Sequence, residues 1–498
     1  ENANVAMSPG RLDQVLYPYY CKSIGQGMSL SEAVELVGCL WLKICDHVPL
    51  APETSEELFG GSGSNQAVTL GGIDMEGNDA VNDLTYIMLR ATELLKVRDP
   101  NVNARYHPEI NKKQYLHRLC EVNINTGATP CFHNDVSAIE ALLGQGVSLE
   151  HARDYASVGC VEPTSCGRTF GHTGCLLMNL PSALELALFQ GKHRLTEDEQ
   201  IGPKTKAPKD MTSFEEFKEA LATQISWLIE QAVSLNNNFG RAYQKIHPFP
   251  MLSVVIEGCM ERGKDVIYGG ALYNSSGAAI IGIAEIVDSM TAIEEFVFEK
   301  RIISFPELID AINKNWEGYE NLQTMIKTST EKFGTDSEMA KKNADWLISL
   351  LHETFQSKEN YRGGKYTVGY WTMTNHAGFG MLSGALPSGR KKGESFPSGI
   401  TPVSGSAPVL TACLNFVAHL DHKKIADGHA LNLKYTPSTT TVPKFADTIF
   451  AFFKMRGLQV QFNIIDRKTL EDAKKHPERY PDLFVRVSGY SAYFKDLN

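Results

Sequence analysis

The chain has 498 residues, 43% of them hydrophobic and 21% charged, with a formal net charge of −10 at neutral pH. This is the composition of a large globular protein rather than a disordered one, and it lacks the basic block with which a chain binds nucleic acid or an anionic membrane in bulk. No apolar run approaches the roughly 18 to 20 residues of a membrane span, no signal peptide opens the chain, and ten cysteines without a C-x-x-C pair read as free thiols of a reducing compartment.

Glu1 stands in what reads as continuing structure, so the natural N-terminus is expected upstream. Ser29-Leu-Ser-Glu32 is a capping box and predicts a helix through "AVELVGCLWLKI". The Gly-rich "GGSGSNQAVTLGG" (60–72) fits neither G-x-G-x-x-G nor a P-loop, and reads as a tight connection around the strand "QAVTLGG". Helical periodicity returns in "AVNDLTYIMLRATELL" and in "SLEHARDYA", where Gly159 lets the chain leave the helix. Ser213-Phe-Glu-Glu216 is a second capping box, before "FKEALATQISWLIEQAVSL". Further on come the strand "DVIYGGAL", the helices "PELIDAINKNW" and "NADWLISLLHETF", and the strands "ALNLKYT" and "QVQFNII". Loops are predicted at 201–212, 388–400 and 436–443, none long enough for an interdomain linker. Helices alternating with short strands imply one large α/β domain. Neither H-E-x-x-H nor G-x-S-x-G occurs, so zinc and serine-hydrolase chemistry have no positive signal, and no metal is expected.

Two segments carry a sharper chemical signal. In "VGCVEP" (158–163), Pro163 disfavours helical dihedrals at Glu162 and pushes it extended. In an extended chain residues i and i+2 share a face, which would aim Cys160 and Glu162 the same way. A buried inert thiol beside a solvated Glu is the commoner source of such a pattern. In "RVSGYSAYF" (486–494), the lone Gly489 in a β-prone run signals a bulge or a close backbone approach.

Together "GCVEP" and, near the end of the chain, "RVSGYSAYF" resemble the glycyl radical enzyme family. So do "GRLDQVLYPYY" (10–20), "NDLTYIMLRA", "NINTGATP" (123–130), "GALPSGRK" (384–391) and "HPERYPDLFVRVSGY". The resemblance implies a ten-stranded α/β barrel of the glycyl radical enzyme type, here lacking its N-terminal portion. It implies a single catalytic domain over 1–498, with a pyruvate formate-lyase-like barrel portion in 1–400 and a glycine radical domain in 401–498. No cofactor would be bound. Instead a separate radical-AdoMet iron–sulfur activase would install a radical on Gly489, which passes to a thiyl on Cys160. Glu162 matches the general base of members that eliminate a group next to a hydroxyl carbon.

Cys160 is followed by Val161 rather than a second cysteine, which disfavours the pyruvate formate-lyase reaction. Thr173 and Gly174 stand where diol dehydratases carry a His-Asp pair. The stretches around His172 and Arg362 look most like isethionate sulfite-lyase, in which an Arg matching Arg362 holds the sulfonate and an aromatic matching Tyr366 lines the pocket. The resemblance therefore implies a lyase converting isethionate to acetaldehyde and sulfite, with Gln66, His172 and Thr173 as further substrate-binding residues. The alternatives are an alkyl- or benzylsuccinate synthase adding a hydrocarbon radical to fumarate, a glycerol or propanediol dehydratase, and a choline lyase. Partners are expected to be the activase, a second copy in a homodimer and a small molecule, without nucleic acid or membrane. The setting is expected to be the cytoplasm of an anaerobic bacterium or archaeon, where a microcompartment is compatible.

Overall fold

A computed structural model describes residues 8–46, 65–196, 199–435 and 441–496. Residues 60–64 of the Gly-rich stretch and 436–440 of the third predicted loop lie outside the described residues. The chain forms two compact units: Glu1–Thr169 with Ala426–Asn498, and Phe170–Ile425. The first holds β1 (Ala67–Gly71), β2 (Asn101–Tyr106), β3 (Cys131–Asn134), β4 (Tyr155–Val158) and β5 (Glu162–Ser165). The second holds β6 (Leu176–Asn179), β7 (Lys192–His193), β8 (Glu199–Gln200), β9 (Ser276–Ile281) and β10 (Tyr366–Gly369). The chain then returns to the first unit for β11 (Asn432–Tyr435), β12 (Gln459–Ile464), β13 (Phe484–Arg486) and β14 (Ser491–Tyr493).

The first unit is built on a five-stranded sheet of order β1-β2-β3-β12-β11. The first three strands are parallel, β12 joins β3 antiparallel with Gln459 opposite His133, and β11 runs parallel to β12. Helices flank these strands. Leu30–Cys45 starts from the Ser29/Glu32 capping box and buries Ala33, Val37 and Trp41. The Trp41 indole N–H donates to Thr92 Oγ1 at 2.9 Å, which ties this helix to Asp83–Leu95. The hairpin β4–β5 is fastened to the sheet by a fully buried ion pair. Arg105 on β2 grips both Asp135 oxygens, at 2.8 and 3.0 Å. The Tyr155 hydroxyl donates to the same carboxylate at 2.9 Å, and Arg105 donates back to the Tyr155 carbonyl at 2.9 Å. A planar guanidinium fork suits such a bidentate contact.

The second unit has a parallel sheet of order β10-β9-β6, with β9 buried throughout. The 33-residue helix Phe214–Ile246 starts at Ser213, whose Oγ accepts from the Glu216 N–H at 3.4 Å. The expected box is only half closed, because the Glu216 carboxylate accepts from the Thr212 N–H instead. The predicted strand "DVIYGGAL" is a turn. Asp265 accepts from the Ile267 N–H at 2.9 Å and starts one turn of 3₁₀ helix, Val266–Tyr268, which ends at Gly269 with φ +82°. Aspartate capping and two glycines outweigh the β-prone side chains between them. "SLEHARDYA" is also shorter as a helix than its rhythm suggests: Leu149–Arg153 is helical and Tyr155 already begins β4, so Gly159 ends a strand rather than a helix. Among the described residues no helix is long and apolar enough to cross a membrane.

Candidate active site

Cys160 lies at the tip of the β4–β5 hairpin. Val158 pairs with Glu162, which leaves Gly159, Cys160 and Val161 as the turn, with Gly159 at φ +57°. Cys160 is therefore not extended. Glu162 is, as the first residue of β5, and its carboxylate folds back over the turn. Oε2 accepts from the Cys160 N–H at 2.8 Å and the Val161 N–H at 2.6 Å. Thiol and carboxylate do come together, but through backbone hydrogen bonds across a turn rather than through alternation along a strand.

The β13–β14 hairpin presents its own tip to the first. Arg486 pairs with Ser491, and the Val487 N–H donates to the Tyr490 carbonyl at 2.9 Å, closing the turn that carries Gly489. Gly489 has φ +82°, a conformation natural to glycine. A Cβ placed on it would stand 2.3 Å from Cys160 Cβ and 3.1 Å from Cys160 Sγ. Only a residue without a side chain lets the two tips approach so closely.

One side chain joins both tips. Asn101, at the start of β2, donates through Nδ2 to the Gly489 carbonyl at 2.7 Å, to the Gly159 carbonyl at 2.9 Å and to the Cys160 carbonyl at 3.3 Å. Its Oδ1 accepts from Arg486 Nη1 at 2.7 Å. Arg486 in turn donates through Nη2 to the Gly489 carbonyl at 2.8 Å and through Nε to Gln461 Oε1 at 2.9 Å. The β13–β14 hairpin is docked by further amides: Asn463 exchanges two hydrogen bonds with the Arg486 backbone, at 2.7 and 2.8 Å, and Asn432 donates to the Val487 carbonyl at 2.7 Å.

Both tips are dry. Cys160, Glu162, Ser488 and Tyr490 are all buried. Burial, then the Glu162 charge, push the Cys160 thiol well above its ordinary value. The environment keeps the sulfur as S–H, opposite to the electropositive setting of a thiolate nucleophile. Asn65 donates through Nδ2 to Cys160 Sγ at 3.2 Å, while its Oδ1 has no partner among the described residues. Gln66 beside it is held by its backbone, its N–H donating to Asp99 Oδ1 at 3.1 Å, and its Nε2 has no partner among the described residues.

The other sequence candidates belong to the second unit. Arg362 is 7% exposed. Its Nη2 donates to Ser276 Oγ at 3.1 Å, but among the described residues Nε and Nη1 have no partner and no carboxylate forms an ion pair with it. Its guanidinium lies 4.9 Å from the Phe170 ring and 4.8 Å from the Tyr361 ring. His172 stacks on the Phe170 ring, with centroids 6.2 Å apart. Loss of water, then the Arg362 charge, lower the His172 imidazole to about 4. Thr173 is buried. Tyr366 directs its hydroxyl to Asn236 Oδ1 at 2.9 Å and Asn237 Oδ1 at 3.1 Å on the long helix, and its ring packs on Phe355.

Asn65, Asn101 and the site contacts of Arg486 were not foreseen from the sequence. The available signal was "NVNARY", whose asparagines recur with strand period on a segment buried on both faces. Buried polar side chains at that spacing mark an internal polar face.

Residues 1–380 match the pyruvate formate lyase-like family and residues 396–495 the glycine radical family. The chain is similar to the trans-4-hydroxy-L-proline dehydratase of Clostridioides difficile, 33% identical over 506 residues, which are 99% of this chain and 63% of that protein. It is similar to the isethionate sulfite-lyase of Nitratidesulfovibrio vulgaris, 29% identical over 511 residues, 100% of this chain and 61% of the relative. The structure superposes with TM-score 0.94 on the glycerol-bound B12-independent glycerol dehydratase from Clostridium butyricum, 34% identical, covering 99% of this chain and 62% of that one. The chain thus spans less than two thirds of the length of these relatives. With two family matches that together run almost end to end, and an α/β fold shared at this level, the chain belongs to the pyruvate formate lyase-like family of glycyl radical enzymes.

Proposed function

We propose that this chain carries the catalytic centre of a glycyl radical lyase acting on a small hydroxylated substrate. The observation that carries the reading is the contact of Gly489 with Cys160, close enough that a methyl group would not fit between them. A radical-AdoMet activase would remove one hydrogen atom from Gly489. The glycyl radical would take the Cys160 S–H hydrogen, and the resulting thiyl would take a hydrogen from the hydroxyl-bearing carbon of the substrate. The hydroxyl proton of the radical so formed passes to Glu162, and the ketyl expels its β-leaving group. The product radical recovers a hydrogen from Cys160. The buried setting of both tips suits radicals that water and oxygen would quench.

The leaving group we infer is sulfite, with isethionate as substrate and acetaldehyde as product. The similarity to the isethionate sulfite-lyase of Nitratidesulfovibrio vulgaris, 29% identical over 511 residues, supports this. A dehydratase, expelling water, is the second reading. The 33% identity to a hydroxyproline dehydratase and the fit to a glycerol dehydratase favour it. The test is anaerobic activation followed by isethionate, propane-1,2-diol, glycerol and trans-4-hydroxyproline in turn. Sulfite released from isethionate alone supports the first reading, carbonyl or enamine products from the others support the second, and no turnover of any defeats both.

A further inference from the structure

The Gly489 carbonyl is unusual in what it accepts. Two donors meet it, Asn101 Nδ2 at 2.7 Å and Arg486 Nη2 at 2.8 Å, and one of them belongs to a cation. Arg486 is 4% exposed, and no carboxylate among the described residues pairs with it. Its hydrogen bonds among the described residues go to Gln461 Oε1, Asn101 Oδ1, Ser491 Oγ and the Gly489 carbonyl, all neutral, and the Cys131 thiol also faces it. Burying a guanidinium without a counter-charge is costly, and a neutral amide would anchor the hairpin as well. The Asn101 amide is also oriented without ambiguity. Arginine can only donate, so Oδ1 must face Arg486 and the NH₂ must face the carbonyls.

We propose that Arg486, with Asn101, sets how strongly an unpaired electron is held on Gly489, by drawing spin and negative charge onto the Gly489 carbonyl oxygen. The proposal rests on the radical reading above. A radical at a glycine Cα lies between an electron-releasing amide nitrogen and an electron-accepting carbonyl. Hydrogen bonds to that oxygen favour the form with charge and spin on oxygen, and a cationic donor does so about twice as strongly as a neutral one. The step concerned is Gly489 Cα–H plus Cys160 S• giving Gly489 Cα• plus Cys160 S–H. One C–H bond breaks, one S–H bond forms, and one hydrogen atom moves with its electron, so no net charge is transferred. The charge on Arg486 therefore weakens the Cα–H bond relative to S–H and stores the radical on Gly489 between turnovers. Cys160 holds it only when substrate is present to be attacked.

The experiment is EPR spectroscopy of the full chain after anaerobic activation, comparing wild type with Arg486→Lys, Arg486→Gln and Asn101→Ala. The splitting from the Gly489 α-hydrogen reports spin left on Cα. Arg486→Gln should widen it and lower the steady radical content roughly tenfold, the effect of losing a hydrogen bond to a charged group. Arg486→Lys, which keeps the charge, should stay near wild type, and Asn101→Ala should widen the splitting by less than Arg486→Gln. Wild-type splitting in Arg486→Gln, or Arg486→Lys matching Arg486→Gln in both readouts, overturns the proposal in favour of plain anchoring. If Arg486→Gln takes up no radical, Asn101→Ala decides: wider splitting supports the proposal and unchanged splitting overturns it. A wild-type chain that yields no glycine doublet defeats the radical reading itself. A wild-type doublet unaltered in the variants defeats only this inference.

Discussion

Gly489 and Cys160 meet so closely that a side chain at position 489 has no room. Gly489→Ala would push a methyl to 2.3 Å from Cys160 Cβ and hold alanine at φ +82°. The expected result is loss of the glycine EPR doublet together with a destabilisation of about 1–3 kcal/mol in urea unfolding. A variant with full stability would show that the tips part without cost. Glu162→Gln separates two steps of the proposed reaction. Hydrogen exchange between substrate and Cys160 should continue while product formation falls about 10²- to 10⁴-fold. If elimination is unimpaired, Glu162 serves only as the acceptor of the two turn amides. That Glu162 is extended was legible in the sequence, because Pro163 disfavours helical dihedrals there; the shared face it was to form with Cys160 was not borne out. The turn at Cys160 was not legible, because hydrogen bonding to a turn's amides leaves no periodic trace.

At the scale of elements, the two hairpins rest on a sheet face that is polar where cores are usually apolar. Asn101 and Asn103 on β2, Cys131 and His133 on β3, and Gln459 and Gln461 on β12 are all buried. His133 Nε2 lies 2.9 Å from Asn103 Oδ1 and 3.3 Å from Cys131 Sγ. Burial, then the charge of Arg486, lower its imidazole from 6.5 to about 3. The sign follows from linkage. Above 6.5 neither state is protonated there. Below it the unfolded chain takes up a proton that folded His133 refuses until about 3, so this contribution to stability is lost as pH falls through that window. Urea unfolding at pH 7 and at pH 5 should show a smaller loss in His133→Gln than in wild type, and an equal loss would assign the acid sensitivity to other groups. Removing one side of the Arg105–Asp135 pair is expected to be severe. Asp135→Asn leaves a buried guanidinium short of its counter-charge and should cost about 3–5 kcal/mol in urea unfolding; a cost below about 1 kcal/mol would mean that water replaces the partner. Strand positions such as "QVQFNII" were readable from alternation. The meaning of that alternation was not, since the pattern reports two faces without saying that the polar one is inward.

Across the whole chain, the α/β class followed from helices alternating with short strands, and the failures have local causes. "DVIYGGAL" turns because Asp265 caps it and two glycines follow. Least legible is Arg362, which stands in an "RGG" turn: only its burial, with two donors unpartnered among the described residues, marks it out. The central claim concerns a hydrogen atom passing between Gly489 and Cys160. It is tested most directly by activating the chain anaerobically in D₂O. A thiol exchanges its hydrogen with solvent, so repeated transfer through Cys160 should replace the Gly489 α-hydrogen by deuterium. The EPR doublet is expected to collapse to a single line in wild type and to persist in Cys160→Ala. A wild-type doublet that survives in D₂O, or one that collapses equally without Cys160, would contradict the relay.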